Sequence, residues 1–136
     1  MSKHIKPKLN KYHVIVDPNL HDGELTKIEI LPEKEMKVVI ENNSASYEFL
    51  LKEVQYFWTS SFRGRNIVFD VTVLKGIEYP ETKLIKLLEP GPEINDTYIK
   101  NTLKAIFEGA LTLFIVSPSY GCELICLCSS YSIFKL

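Results

Sequence analysis

Three cysteines crowded into one short segment, Cys122, Cys126 and Cys128, are the residues whose type and spacing most directly suggest chemistry. A structural zinc site needs four ligands, commonly in two pairs, whereas this chain has one cluster and its three histidines lie far away in sequence. A cysteine nucleophile needs an adjacent base and partial exposure, and no histidine spacing indicates such a pair. Positions 122, 126 and 128 face one side of a strand, so we interpret the thiols as reduced, packed core residues. We therefore predict no catalytic residue, no metal site and no cofactor, and we expect that the protein is not an enzyme.

Carboxylates gather in and near the first predicted loop, at Asp17, Asp22, Glu24 and Glu29. Their spacing does not match an EF-hand loop, which needs ligands at alternating positions and a closing glutamate. A solvated surface is therefore favoured over a metal site. The same carboxylates are suited to pairing with a basic region of a partner protein.

A segment rich in aromatic residues and arginine is the nearest feature to a recognition patch. Tyr56, Phe57 and Trp58 are followed closely by Arg63 and Arg65. Arginine and large aromatic rings are over-represented at binding hot spots because they bring large contact areas and fixed donor geometry. The same residues could stack on single-stranded nucleic acid, or could form an ordinary aromatic core beside a turn that carries two arginines. The predicted partner-binding residues are Tyr56, Trp58, Arg63, Arg65, Asp22, Glu24 and Glu29.

Length, composition and charge limit the domain organisation, the classes of partner and the cellular location that we expect. With 136 residues, 46% of them hydrophobic and 24% charged, the chain is predicted to have a flexible leader at 1–10 and a single α+β domain at 11–136. The net charge of −1 provides no overall attraction to nucleic acid or to an anionic membrane, so we expect neither as a partner. No signal-peptide pattern follows the basic N-terminus, and the apolar runs are far shorter than the about 20 residues of a membrane-spanning helix. We expect a cytoplasmic location.

Alternation of apolar and polar residues with a period of two predicts that most of the chain forms strands. Strands are predicted near 12–17, 25–31, 36–40, 47–52 and 54–59. In the segment 67–73, Ile67, Phe69, Val71 and Val73 form one apolar face, which favours a central position in the sheet. Segments 111–116 and 122–128 are predicted to pair around a turn, and 131–134 to extend that pair.

One helix is predicted near 96–109, with Asn95 or Asp96 at its N-cap and Gly109 at its end. The apolar residues that recur with helical spacing are Ile99, Leu103, Ile106, Phe107 and Ala110. Residues 80–88 fit either a second short helix or a strand, and Pro90-Gly91-Pro92 is expected to break whatever precedes it. The predicted fold class is α+β, with a mainly antiparallel curved sheet of about seven or eight strands and the 96–109 helix packed on one face.

Two segments of the chain resemble a known class of proteins. Residues 59–70, TSSFRGRNIVFD, and residues 114–123, FIVSPSYGCE, are similar to segments of small bacterial immunity proteins that accompany polymorphic or contact-dependent growth-inhibition toxins. The resemblance implies a protein that binds the toxin domain of its own strain and blocks its active site or substrate access. Immunity proteins against nucleases are often strongly acidic, and this nearly neutral chain departs from that pattern, which leaves the activity of the toxin open.

Three functional hypotheses follow. The first is a toxin-binding immunity protein, in which a rigid sheet presents aromatic, arginine and carboxylate side chains to a protein partner. The second is a small enzyme or ligand-binding domain with a pocket between the 96–109 helix and the sheet, using Cys122 or a histidine. The third is a nucleic-acid-binding module that uses Arg63, Arg65 and the neighbouring aromatic residues.

Overall fold

The computed structural model of the protein describes residues 2–88 and 94–136. The break expected at Pro90-Gly91-Pro92 lies outside these residues. In chain order the strands are β1 (Lys3–Ile5), β2 (Lys8–Leu9), β3 (Ile15–Asp17), β4 (Glu24–Leu31), β5 (Glu35–Asn42), β6 (Ala45–Lys52), β7 (Tyr56–Ser60), β8 (Ile67–Leu74), β9 (Thr112–Tyr120), β10 (Glu123–Cys128) and β11 (Ser130–Lys135). The helices are α1 (Glu81–Leu87) and α2 (Asp96–Glu108).

Nine of the strands form one antiparallel sheet in the order β1-β11-β6-β5-β4-β8-β9-β10-β7, and β2 and β3 form a small second sheet. The predicted α+β class, the curved antiparallel sheet and the helix on one face are confirmed, and α1 provides the second short helix near 80–88. The hairpin between β4 and β5 turns at Glu33 and Lys34, which both have positive φ, and it pairs Ile28 with Val38. This register places Ile28, Ile30, Met36 and Val38 on one face of the two strands.

The concave face of the sheet holds the inner core, a cluster of buried residues that includes Val38, Phe49, Val71, Phe114 and Cys126. The rings of Phe49 on β6 and Phe114 on β9 lie with their centroids 5.5 Å apart, although three strands separate β6 from β9 in the sheet order. That contact is possible only because the sheet curls strongly, which is the consequence of strand twist.

The convex face of β9 and β10 is covered by both helices and forms the outer core, which includes Leu84, Ile99, Ile106, Leu113 and Ile125. On β9, Leu113 and Ile115 face the outer core while Phe114 and Val116 face the inner core. Strands buried on both faces read as continuous apolar runs, and this explains why the sequence of β9 lacks alternation.

The first and last residues of α2 are set by a capping residue at each end. The side chain of Asn95 accepts a hydrogen bond from the backbone N–H of Tyr98 at 2.9 Å, so Asn95 is the N-cap. Gly109 ends the helix at φ 80°, a left-handed conformation that glycine adopts at little cost.

The termini differ from the sequence-based prediction. The expected leader at 1–10 instead contains β1, which pairs with β11, and β2, which pairs with β3. The tail at 131–134 does not extend the β9–β10 pair, because β11 pairs with β6 and with β1. A short strand at a sheet edge forms because its backbone hydrogen-bonds to a strand that is distant in sequence. The residues of the short strand themselves do not indicate which strand that is.

Two aromatic residues that were predicted to be buried are exposed. Phe69 is 53% exposed because the register of β8 shifts around it, which turns both Val68 and Val71 toward the inner core. Such a β-bulge inserts one extra residue on one strand and reverses the expected alternation. Phe107 is 54% exposed, and Thr102 lies in its place on the buried face of α2.

Candidate functional site

Three loops meet at one end of the sheet, and we call this surface the loop end; it comprises residues 19–24, 61–66 and 119–122, together with Phe69 of β8, which lies against His21 of the first loop. The first two loops are joined by backbone hydrogen bonds from Leu25 N to Asn66 O at 2.8 Å and from Val68 N to Gly23 O at 2.8 Å. The third is joined to the second by the bond from Cys122 N to the Asn66 side chain at 3.0 Å. The loop end is therefore a connected surface, although its parts are far apart in sequence.

Asn66 is the residue that connects these loops. Its side chain is 2% exposed. The Oδ1 atom accepts hydrogen bonds from Arg63 N at 2.8 Å and Cys122 N at 3.0 Å, while Nδ2 donates to Arg63 O at 2.9 Å and Leu25 O at 3.4 Å. Buried amides that satisfy several backbone groups in this way hold a loop in one conformation.

Gly121 allows the β9–β10 turn to approach Asn66. It has φ +88°, and a Cβ atom at this position would lie 2.6 Å from Asn66 Oδ1 and 2.9 Å from Arg65 O. Both the left-handed conformation and the lack of space require glycine. The turn itself is shorter than predicted, since β9 continues to Tyr120 and the chain reverses at Gly121 and Cys122.

Charged side chains at the loop end are exposed and of both signs. Arg65 Nε lies 3.8 Å from Glu24 Oε1, and the Arg63 guanidinium lies over the Tyr120 ring at 5.8 Å from its centroid. Asp22 lies beside His21, with 3.6 Å between Asp22 Oδ2 and His21 Nε2. The structure therefore brings together four of the predicted partner-binding residues, which are Asp22, Glu24, Arg63 and Arg65. Arg65 lies near Glu24, and Arg63 lies over the Tyr120 ring.

Large aromatic side chains are exposed at the same end of the molecule. Phe62, Phe69 and Tyr120 are 52%, 53% and 56% exposed. Phe69 is held by His21, whose Nδ1 lies 2.8 Å from Phe69 O and whose ring contacts the Phe69 ring edge-on at 5.5 Å between centroids. A shallow cavity of about 310 Å³ lies beside Phe69, between it and Val16.

The remaining predicted residues lie elsewhere. Glu29 is on β4, where its Oε1 lies 3.3 Å from Lys27 Nζ and 3.8 Å from Lys37 Nζ, so its charge is already compensated. Tyr56 and Trp58 are partly buried and pack against the outer core. The predicted set is therefore divided among the loop end, the charged face of the sheet and the outer core.

Sequence reasoning missed Phe69 and Tyr120 as surface residues. Alternation places Phe69 on a buried face, because the pattern carries no signal for the bulge. The sequence predicts a turn at Tyr120, whereas this residue ends strand β9. The approach of Tyr120 to Arg63 depends on the pairing of β8 with β9, in which Ile67 lies opposite Tyr120.

All three thiols are enclosed, as the packing interpretation predicted. Cys122, Cys126 and Cys128 are buried in the inner core. Burial raises the pKa of Cys122, and the hydrogen bond to Cys128 together with burial raises the pKa of Cys126. A raised pKa keeps both thiols protonated at neutral pH, where only the thiolate would be a good nucleophile.

We therefore expect the folded protein to resist alkylation. Iodoacetamide at pH 8 should leave Cys122, Cys126 and Cys128 unmodified in the native state, because access to each sulfur is blocked and the thiolate fraction of Cys122 and Cys126 is small. Intact-mass spectrometry measures the result, with a urea-unfolded sample as the control in which all three thiols react. Rapid labelling of any one cysteine in the native protein would contradict the packing interpretation.

Within residues 2–88 and 94–136, no group of three histidine, cysteine, aspartate or glutamate side chains is arranged to hold a metal ion. In the same part of the chain, neither helix has the length and apolar character needed to cross a membrane. A cavity of about 300 Å³ lies beside α2, and its lining includes Thr102 and Leu111 but none of the cysteines or histidines.

Comparisons with protein-family models, with curated proteins and with solved structures found no match to this chain. Residues 59–70 and 114–123 both contribute to the loop end, since the first segment contains Arg63 and Arg65 and the second contains Tyr120.

Proposed function

We propose that this protein is an immunity protein that binds the toxin domain of its own strain through the loop end and acts in the cytoplasm of the producing cell. The observation that carries the proposal is the exposure of three aromatic side chains at one end of the sheet: Tyr120 lies under Arg63, Phe69 lies against His21, and Phe62 is on the loop that Asn66 holds through Arg63. Binding energy at protein interfaces is concentrated in a few aromatic and arginine side chains of this kind.

Rigidity supports the proposal as much as composition does. A surface whose loops are already ordered loses little conformational entropy on binding, so more of the contact energy appears as affinity. The hydrogen bonds of Asn66, the left-handed Gly121 and the contact of His21 with Phe69 all restrict the loop end before any partner arrives.

The balance of charge favours a protein partner over nucleic acid. Arg65 is opposed by Glu24, and Asp22 lies in the same first loop, so the loop end does not present the uninterrupted positive surface that phosphate binding requires. Mixed charges around an aromatic centre are typical of the rim of a protein interface, where they guide association and register.

The proposal is tested by protection from the toxin. The product of the neighbouring reading frame is expressed in a bacterial host, where it is expected to arrest growth, with and without this chain. Growth is expected to be restored only when both are present, and the two purified proteins are expected to elute together on gel filtration. Failure of the purified pair to associate at micromolar concentration, together with unprotected growth, would overturn the proposal.

A further inference from the structure

A cavity separate from the loop end lies between α1 and the convex face of β7 and β10. Its volume is about 420 Å³. Ile125 of β10, which is buried in the outer core, lines it together with Leu87 of α1 and Trp58 of β7. These side chains provide an apolar surface with one large aromatic ring, and the volume falls in the lower part of the range of about 300 to 1,000 Å³ found for small-molecule sites.

Two lysines give the cavity a positive side. Lys83 and Lys86 lie three residues apart on α1, so they project from one face of the helix, and both line the cavity. Neither forms an ion pair within residues 2–88 and 94–136, in contrast with Lys27 and Lys37, which are paired with Glu29. The positive charges are therefore available to a ligand.

The remaining polar groups of the cavity are Tyr79 and Glu123. Tyr79 is partly buried, and burial raises the pKa of its phenol, which keeps the hydroxyl a hydrogen-bond donor into the alkaline range. Among the described residues, Glu123 forms no ion pair with Lys83 or Lys86. Its carboxylate lowers the net charge of the cavity, but both lysine ammonium groups stay unpaired. The cavity retains a net positive charge.

We propose that this cavity binds a small aromatic anion, with its ring against Trp58 and Ile125 and its acidic group between Lys83 and Lys86. An apolar body is required because Ile125, Leu87 and Trp58 offer no charged contact. An acidic group is favoured because Lys83 and Lys86 are exposed at the edge of the cavity and place two positive charges beside its apolar wall. This site is independent of the loop end and adds small-ligand binding to the proposed protein-binding role.

Trp58 is the chain's single tryptophan, so its fluorescence reports directly on occupancy of the cavity. The test titrates the protein with two probes that share one ring system, 8-anilinonaphthalene-1-sulfonate, which is an anion, and N-phenyl-1-naphthylamine, which is neutral. The sulfonate is expected to quench Trp58 at one molecule per chain and to bind about tenfold more tightly than the neutral probe.

Matched charge variants identify the source of that preference. The K83Q/K86Q variant is expected to lose the tenfold difference between the probes, whereas K100Q/K104Q, which removes two exposed lysines from α2, is expected to keep it. Equal binding of both probes to the unaltered protein, an equal effect of the two double variants, or no quenching of Trp58 at probe concentrations up to about 1 mM would each overturn the proposal.

Discussion

Replacing Arg63 and Phe69 together by alanine is expected to weaken binding to the toxin domain about a thousandfold, because each truncation of a hot-spot residue costs about 2 kcal/mol or more and each 1.4 kcal/mol is a factor of about ten. Arg63 lies over the Tyr120 ring, and Phe69 is held edge-on by His21. Both side chains are exposed in the unbound protein, so their removal should leave the free energy of unfolding nearly unchanged.

The measurement is the Kd of the purified variant for the toxin domain, supported by a urea unfolding curve that verifies the fold. Phe107 offers a closely matched control, since it is a phenylalanine with an exposure of 54% against 53% for Phe69, but it lies on α2. Phe107→Ala combined with Lys100→Ala should bind like the unaltered protein. If the two double variants lose affinity equally, the loop end is not the binding surface.

Replacing Asn66 by alanine is expected to lower the free energy of unfolding by about 3 kcal/mol, because it leaves the backbone N–H groups of Arg63 and Cys122 without an acceptor and each unsatisfied buried group costs about 1–3 kcal/mol. The same change removes the donor to Arg63 O and Leu25 O. Asn66→Asp restores only the acceptor and introduces a buried charge, so it should also destabilise the protein.

Urea unfolding at neutral pH measures this effect for the Asn66 variants. Asn101→Ala is the control, because Asn101 is exposed on α2 and alanine is the better helix former. A loss below about 1 kcal/mol for Asn66→Ala would show that water replaces the amide and that the loops do not depend on it. Asn66→Ala should also weaken toxin binding, since Arg63 would no longer be held in place.

The correct strand predictions share a physical basis. The hairpin of β4 and β5, together with β6 and β8, alternates apolar and polar residues over eight-residue strands, and such a pattern identifies a strand without knowledge of its partner. The helix α2 was predicted from its own ends, Asn95 and Gly109, because capping depends on neighbouring backbone atoms. Interactions between residues that are close in sequence can be inferred from the segment that contains them.

The incorrect predictions concern strand pairing and side-chain exposure that depend on a strand far away in sequence. The pairing of β1 with β11, and the exposure of Phe69, each depend on strands more than forty residues away. Phe107 is exposed because the buried face of α2 is centred on Ile99, Thr102 and Ile106, and periodicity alone does not specify which part of a broad apolar stripe is buried. None of these features has a signature within the segment concerned.

The candidate site likewise combines features that could be predicted from residue types with features that depend on strands distant in sequence. Residue types alone indicated that Arg63, Arg65, Asp22 and Glu24 are suited to partner binding, and that Cys122, Cys126 and Cys128 belong in a core. The α+β class and most of the strands could be predicted because hydrophobic periodicity is a property of each segment. The folded chain was needed to show that Glu24 faces Arg65, that Tyr120 lies under Arg63 and that Glu29 is paired with lysines away from them. Those contacts are made by the register of strands distant in sequence, and register is selected by the burial of the whole sheet rather than by any one strand.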